Sequence, residues 1–206
     1  FDFFKKINFD HYDIVIDTQK RFLTTLLLKK IPTDLFISPS SNFLFSDIPL
    51  AAKSEKNLSL NLIQLIGLLS NKEFENYSLN KSKTKKIAIC PGAAVKAKRW
   101  KLNNFLEVAK FLKTKRFDPI FILGPNEKEM RLSIQKTVGN FKIFESNDPL
   151  KTITFSKNCF FGLSNDTGCG HLISASGIPT LTIFGPTDAE KFLPIGNEKN
   201  AALSSQ

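Results

Sequence analysis

The chain has 206 residues, of which 42% are hydrophobic and 23% are charged, a composition typical of globular proteins and sufficient for one large or two small domains. The net charge of +10 favours anionic partners such as nucleotides, nucleic acid or acidic lipid headgroups. The three cysteines form no CxxC pair and the two histidines are too few to complete a zinc site, so a reduced, cytosolic compartment fits best. No apolar run approaches the roughly 20 residues that cross a bilayer, and no signal peptide is visible.

The first 56 residues predict a strand, a helix and a second strand, followed by a loop rich in Ser, Pro and Asn. The apolar run 12–17 is typical of a buried parallel strand, residues 18–30 have helical spacing up to Pro32, and 34–37 form the next short strand. This β-α-β order indicates an α/β layer fold. A helix is predicted over 58–69, and the polar, lysine-rich residues 71–86 are interpreted as an interdomain linker.

After residue 86 the chain alternates regularly between apolar strands and amphipathic helices. The predicted strands are 86–90, 119–123, 142–144, 159–163 and 180–184, and the predicted helices are 103–113, 127–138, 149–155 and a short one after residue 167. Such an alternation predicts a Rossmann-like open parallel sheet, in which ligands bind beyond the carboxyl ends of the strands. The polar loops at those ends are therefore the candidate functional segments.

The stretch LSNDTGCGH, residues 163–171, combines a strand end, a polar turn with two glycines and a helix start. Asp166 and Thr167 stand where N-cap residues belong, so backbone N–H groups should point out of the turn and attract an anion such as phosphate. His171 should lie about one helical turn further on. The alternative is a capped helix with an incidental histidine, and the stretch alone does not decide between the two.

The loop PGAAVKAKRW, residues 91–100, follows the first strand of this alternation. Its small residues allow close backbone approach, and the compact charge of Lys98 suits a phosphate. Arg99 is a second candidate, although we favour for it a solvated basic loop in which Trp100 anchors the core.

Two further loops, GPNE at 124–127 and GPTD at 185–188, also follow strands. Glu127 could complement a helix dipole or accept hydrogen bonds from ribose hydroxyls. GPTD alone is interpreted as a turn.

Standard phosphate motifs are absent from the sequence. There is no P-loop, no complete GxGxxG and no Asp-x-Asp pair to hold a divalent metal. Lys98 and helix N-termini would therefore have to neutralise any bound diphosphate.

Taken together, these four motifs in this order resemble glycosyltransferase family nine, the ADP-heptose:lipopolysaccharide heptosyltransferases. The resemblance covers residues 85–190, and YDIVIDTQ at 12–19 is similar less specifically. It implies an α/β fold of GT-B type, in which two Rossmann-like domains with open parallel sheets face each other across a cleft. By this resemblance residues 1–80 form an incomplete N-terminal acceptor-side domain with its linker, and residues 81–206 form the C-terminal nucleotide-sugar-binding domain.

The resemblance further implies an inverting glycosyltransferase that moves a heptose or related sugar from an ADP-sugar to a lipopolysaccharide core or lipid A acceptor. Neither a metal nor another cofactor is expected. The expected location is cytoplasmic, peripheral on the inner face of the inner membrane, and no nucleic-acid partner is expected because no RRM or helix-turn-helix pattern is present. The alternative is a Rossmann-like nucleotide-binding module without transferase activity.

Residue roles follow from the same resemblance. Lys98 would contact the donor phosphates and stabilise the leaving group, Glu127 would bind the ribose, and Asp166, Thr167 and Gly168, with His171, would hold the diphosphate and sugar. Ala93 and Ala94 stand where the family often has Ser or Thr, so only their backbone N–H groups could serve. The general base is expected upstream of Phe1, because Asp13 and Asp17 do not match its motif, and the chain is expected to be inactive as it stands.

Overall fold

In the computed structural model, residues 10–19, 21–48, 56–70, 84–137 and 140–204 are described. The chain divides into two compact units, Phe1–Ser54 and Glu55–Gln206, which are treated separately below. Most of the predicted linker, residues 71–83, lies outside the described residues. The division of the functional domains at residue 80 stays a prediction.

The first unit contains the predicted β-α-β order, with β1 at Tyr12–Ile16, α1 at Phe22–Leu28 and β2 at Thr33–Ile37. The two strands are parallel, as the pattern predicted. The helix begins four residues later than predicted, because Arg21 has extended backbone angles. Asp17, which ends the apolar run, is 1% exposed and accepts hydrogen bonds from the hydroxyls of Thr25 (2.6 Å) and Ser38 (2.9 Å), which ties the three elements together.

The second unit is a six-stranded, fully parallel sheet with helices on both faces. Its helices are α2 Leu58–Ser70, α3 Leu102–Thr114, α4 Lys128–Lys136, α5 Pro149–Ser156, α6 Gly168–Ala175 and α7 Ala189–Phe192; its strands are β3 Lys86–Cys90, β4 Asp118–Leu123, β5 Lys142–Glu145, β6 Phe161–Asn165, β7 Thr180–Phe184 and β8 Ala201–Ser204. The strand order is β5-β4-β3-β6-β7-β8. This is the order of a doubly wound sheet, and the direction of winding reverses between β3 and β6.

Alternate residues of the central strands build two separate cores. Ile87 and Ile89 of β3 face α3, whose Phe105, Leu106 and Ala109 are buried. Ala88 and Cys90 face the other way and pack with Ile173 of α6. Because both faces of the sheet are covered, the inner strands β3 and β4 are nearly continuous apolar runs, which is why the sequence predicts them well.

Two elements at the carboxyl-terminal end were not predicted. The last predicted strand is β7, whereas the structure also contains α7 and the edge strand β8. All four residues of β8 are exposed, so no buried apolar run marks it. Helix α7 has only four residues and begins where the Asp188 carboxylate accepts hydrogen bonds from two backbone N–H groups.

Candidate functional site

The reversal of winding places two loops side by side. Cys90 of β3 pairs with Ser164 of β6, so the loop 91–101 and the turn 166–167 leave the same edge of the sheet next to each other. In a doubly wound sheet this switch point is where a crevice opens. The loop 185–188 leaves the neighbouring strand β7 at the same edge.

A lysine–aspartate ion pair joins the first two loops. Lys98 ends a short 3-10 turn, and its Nζ lies 2.7 Å from Asp166 Oδ2. The Asp166 side chain is 6% exposed and is therefore covered, whereas 29% of the Lys98 side chain remains exposed. The Phe192 ring lies 5.9 Å from the same Nζ. Lys98 is thus oriented before any ligand arrives.

Asn165, the residue before Asp166, clamps both ends of the Lys98 loop. Its side chain is fully buried; Nδ2 donates to the carbonyl of Pro91 at 2.7 Å, and Oδ1 accepts from the backbone N–H of Trp100 at 3.0 Å. Sequence reasoning did not identify this residue. The one available signal was a polar residue at the end of an otherwise apolar strand.

The start of α6 differs from the prediction in one respect. Thr167 occupies the N-cap position, but its side chain makes no capping hydrogen bond, and the Asp166 carboxylate bonds to Lys98 instead. The N-cap position of Thr167 is as predicted, but neither side chain caps the helix, because the Asp166 carboxylate is engaged by a tertiary ion pair. The first-turn N–H groups of α6 are left to other acceptors.

Two glycines of α6 have different roles. A methyl group at Gly170 would lie 3.1 Å from the Asn165 carbonyl oxygen and closer still to the Ser164 hydroxyl, so Gly170 permits close packing of α6 on β6. At Gly168 no described atom lies within 4 Å of where a methyl group would stand, and its φ is not in the left-handed region. Gly168 is also exposed, so neither packing nor backbone conformation explains why a glycine occupies this position.

His171 lies one turn further along α6, and its backbone N–H donates to the Thr167 carbonyl at 3.2 Å. Burial lowers the pKa of its imidazole below 6.5; the Asp166 charge opposes this shift and the Lys98 charge adds to it. The ring is therefore neutral at neutral pH, and it can offer a hydrogen bond to a ligand without adding charge.

This shift predicts a pH dependence of stability. The unfolded chain binds a proton at His171 near pH 6.5, whereas the folded chain binds it only at lower pH, so the stability is complete above 6.5 and falls as the pH drops below it. Urea unfolding monitored by the single tryptophan, Trp100, should show this decline between pH 7.5 and 5. The decline should be shallower in His171→Gln. The control His11→Gln, in the other unit, should keep the wild-type decline, and equal declines in all three proteins would contradict the assignment.

Glu127 and the alanine pair complete the set of predicted residues. Glu127 immediately precedes α4, and its Oε2 accepts a hydrogen bond from the Gly124 N–H at 2.8 Å. Its carboxylate also fills the space beside Gly92, so it contacts the Lys98 loop. Ala93 is buried and Ala94 is exposed.

The remaining residues of the basic loop support it from within. The Ala93 carbonyl accepts a 2.6 Å hydrogen bond from Arg99 Nε, which is a structural role rather than a phosphate contact. Trp100 packs edge-on against Phe105 with 5.0 Å between ring centroids, as expected of a core anchor.

The structure thus brings the predicted residues to one edge of the sheet, with Lys98 and Asp166 in direct contact. Among the described residues, no group of three or more His, Cys, Asp or Glu side chains is arranged to hold a metal ion. The Lys98–Asp166 ion pair lies directly before the uncapped start of α6, and its ammonium group and the first-turn N–H groups of the helix are donors that suit an anionic ligand.

Fold and site together define an α/β protein with a doubly wound parallel sheet and a cluster of polar loops at its switch point. The sequence profile of glycosyltransferase family 9 (heptosyltransferase) matches residues 48–206. The chain belongs to this family, which confirms the resemblance carried by the four loop motifs.

Individual relatives agree with this assignment. Over 137 residues the chain is 31% identical to lipooligosaccharide heptosyltransferase 2 of Campylobacter jejuni; the match covers 64% of this chain but only 43% of that relative's length. Two solved structures share the fold. Escherichia coli heptosyltransferase WaaC with ADP has a TM-score of 0.72 at 16% identity, covering 96% of this chain and 68% of that one. A family 9 glycosyltransferase from Veillonella parvula has a TM-score of 0.67 at 20% identity, covering 94% and 62%. The expected GT-B fold class is confirmed.

Proposed function

We propose that the second unit binds the ADP-sugar donor of an inverting glycosyltransferase that transfers a heptose or related sugar to a lipopolysaccharide core acceptor. The observation that carries this proposal is the Lys98–Asp166 ion pair, which presents an ammonium group beside the open start of α6 at the switch point. The similar Campylobacter protein is a lipooligosaccharide heptosyltransferase, and the similar WaaC structure holds ADP.

The proposed chemistry places negative charge where this site can stabilise it. An acceptor hydroxyl attacks the anomeric carbon of the donor as the bond to the diphosphate breaks, and the charge develops on the departing ADP. Lys98 and the first-turn N–H groups of α6 would stabilise that charge, because preorganised donors act most strongly where charge appears in the transition state. Neutral His171 would donate to the diphosphate or sugar, and Glu127 would accept hydrogen bonds from the ribose. The base that deprotonates the acceptor hydroxyl is not assigned to a residue of this chain.

We also propose that the transfer needs neither a metal ion nor another cofactor, since Lys98 and α6 supply the positive potential. We propose further that the protein binds peripherally to the cytoplasmic face of the inner membrane, since its net charge of +10 favours binding to anionic lipid. Within the described residues, no helix has the length and apolarity that a membrane span requires.

Calorimetric titration of this chain with ADP, AMP and adenosine, in the presence of EDTA, tests the donor site. We expect ADP to bind most tightly, because the second phosphate reaches Lys98 and α6. Equal affinities for the three ligands would contradict the proposal. Transfer itself is measured with the full-length gene product and ADP-heptose; tight ADP binding without transfer would favour the binding module that lacks transferase activity.

The substitution Gly168→Ala separates ligand binding from folding. Alanine has room at this position and favours a helix, so the free energy of unfolding should stay equal or rise by up to about 1 kcal/mol. The added methyl group would project into the space at the start of α6 and should weaken ADP binding several-fold. Calorimetry and urea unfolding of the same variant measure both effects. Unchanged ADP affinity would show that the ligand does not approach Gly168.

A further inference from the structure

Thr187, in the turn GPTD, contacts the candidate site through a short hydrogen bond. Its Oγ1 donates a hydrogen bond to Asp166 Oδ2 at 2.6 Å. This Oδ2 atom also lies 2.7 Å from Lys98 Nζ. One carboxylate oxygen thus accepts from a hydroxyl and from an ammonium group. Sequence reasoning took this segment for a simple turn, and the interaction is visible only in three dimensions.

The backbone around Thr187 is held on both sides. A methyl group at Gly185 would lie 2.7 Å from the Ala97 carbonyl oxygen, so glycine allows the turn to pack directly against the Lys98 loop. On the other side the Asp188 carboxylate accepts hydrogen bonds from the N–H groups of Glu190 and Lys191 and fixes the start of α7. The hydroxyl of Thr187 therefore points at Asp166 from a defined position.

This contact limits how strongly Asp166 holds Lys98. A covered carboxylate with few donors would rotate toward the ammonium group and would compete with a diphosphate for it. A second donor on the same oxygen removes rotational freedom from the carboxylate and satisfies part of its hydrogen-bonding capacity. The ammonium group then keeps its position and its capacity to bind a phosphate oxygen.

We propose that Thr187 is a positioning residue for donor binding, which acts through Asp166 to orient Lys98 toward the diphosphate. The inference rests on the proposed function, since it presupposes that Lys98 binds the diphosphate. It assigns to the turn GPTD a role in discriminating the diphosphate from the nucleoside. Thr187 itself touches Asp166 and is not required to touch the ligand.

The experiment uses this chain, ADP and adenosine, with calorimetry as the measurement. Thr187→Val removes the hydroxyl at nearly constant shape and should weaken ADP binding roughly three- to tenfold, while adenosine binding stays unchanged. Thr187→Ser restores the hydroxyl and should restore ADP affinity. Thr114→Val is the matched control, because it removes an exposed hydroxyl that donates to the Phe111 carbonyl on α3, and it should have no effect.

A double-mutant cycle decides whether Thr187 acts through Lys98. In the background Lys98→Ala, adding Thr187→Val should change ADP affinity less than twofold, because the group that it positions is gone. Equal losses in both backgrounds, or an equal loss for adenosine, would overturn the proposal. If the wild-type chain shows no preference for ADP over adenosine, the proposed function falls as well. A wild-type preference for ADP that Thr187→Val leaves undiminished overturns only the role of Thr187.

Discussion

Replacing Lys98 by alanine is expected to weaken ADP binding by about ten- to a hundredfold. The reason is that a charge-assisted hydrogen bond contributes about 1.5–3 kcal/mol, and the structure holds the partly exposed Lys98 at the switch point through its ion pair with Asp166. Calorimetric titration with ADP measures the effect. Adenosine affinity should stay within twofold of wild type, because the lost interaction belongs to the phosphates.

The control for net charge is Lys101→Ala, an exposed lysine just before α3 that changes the total charge by the same amount. Its ADP affinity should remain close to that of the wild type, and any small loss should disappear at high salt. Equal losses in Lys98→Ala and Lys101→Ala would show that the basic loop attracts ADP only through its overall charge.

Lys98→Ala also leaves Asp166 as a covered carboxylate without its cation, which should lower the stability of the second unit. The double variant Lys98→Ala, Asp166→Asn removes this charge and should recover stability without recovering ADP affinity. If the double variant instead regained wild-type affinity, the loss in Lys98→Ala would be a consequence of the uncompensated carboxylate, and Lys98 would not be a ligand for the diphosphate.

The parts of the fold that the sequence predicts are those with a strong local signal. Strands β3 and β4 are continuous apolar runs because both faces of the sheet are covered, and helix α3 between them has regular apolar spacing. The edge strand β8 has neither property, and α7 is too short for periodicity to reveal it. The boundary of α1 was placed too early because Arg21 is compatible with a helix but has extended backbone angles in the structure.

The same distinction between local and tertiary signals applies to the residues of the site. Lys98 and Asp166 could be predicted because a basic loop and a polar turn follow apolar strands, a pattern that directs attention to their side chains. Their ion pair spans 68 positions of the sequence and could not be predicted. Asn165 and Thr187 carry no charge, and their partners lie on other loops. The polar character of Asn165 at a strand end was a weak signal, and the local sequence of Thr187 is that of an ordinary turn.

The end of β6 organises the whole edge of the sheet through two adjacent residues. Asn165 bonds to both ends of the loop after β3, and Asp166 bonds to Lys98 of that loop and to Thr187 of the loop after β7. Two loops are thus fixed by Asn165, the last residue of β6, and Asp166, the residue that follows it. Because they share this anchor, a change at Asn165 should affect both the stability of the unit and the geometry of the Lys98 loop.

Replacing Asn165 by leucine, which has the same branching but a larger volume, is expected to lower the free energy of unfolding of the second unit by at least about 2–4 kcal/mol, because overpacking adds to the lost hydrogen bonds. The Pro91 carbonyl and the Trp100 N–H would each lose a partner, and a buried polar group without a partner costs about 1–3 kcal/mol. Urea unfolding followed by Trp100 fluorescence measures the effect close to the lesion, since Trp100 is the single tryptophan.

Asn158→Leu provides the matched control, because Asn158 is exposed and donates a 3.3 Å hydrogen bond to the Thr154 carbonyl at the end of α5. Its free energy of unfolding should change by no more than about 0.5 kcal/mol, as is usual for surface substitutions. ADP affinity, measured well below the unfolding transition, should fall in Asn165→Leu and stay unchanged in Asn158→Leu, because only Asn165 sets the path of the loop that carries Lys98. A stable Asn165→Leu protein with wild-type ADP affinity would show that the loop keeps its conformation without the clamp, and that its packing through Trp100 and Phe105 is sufficient to position Lys98.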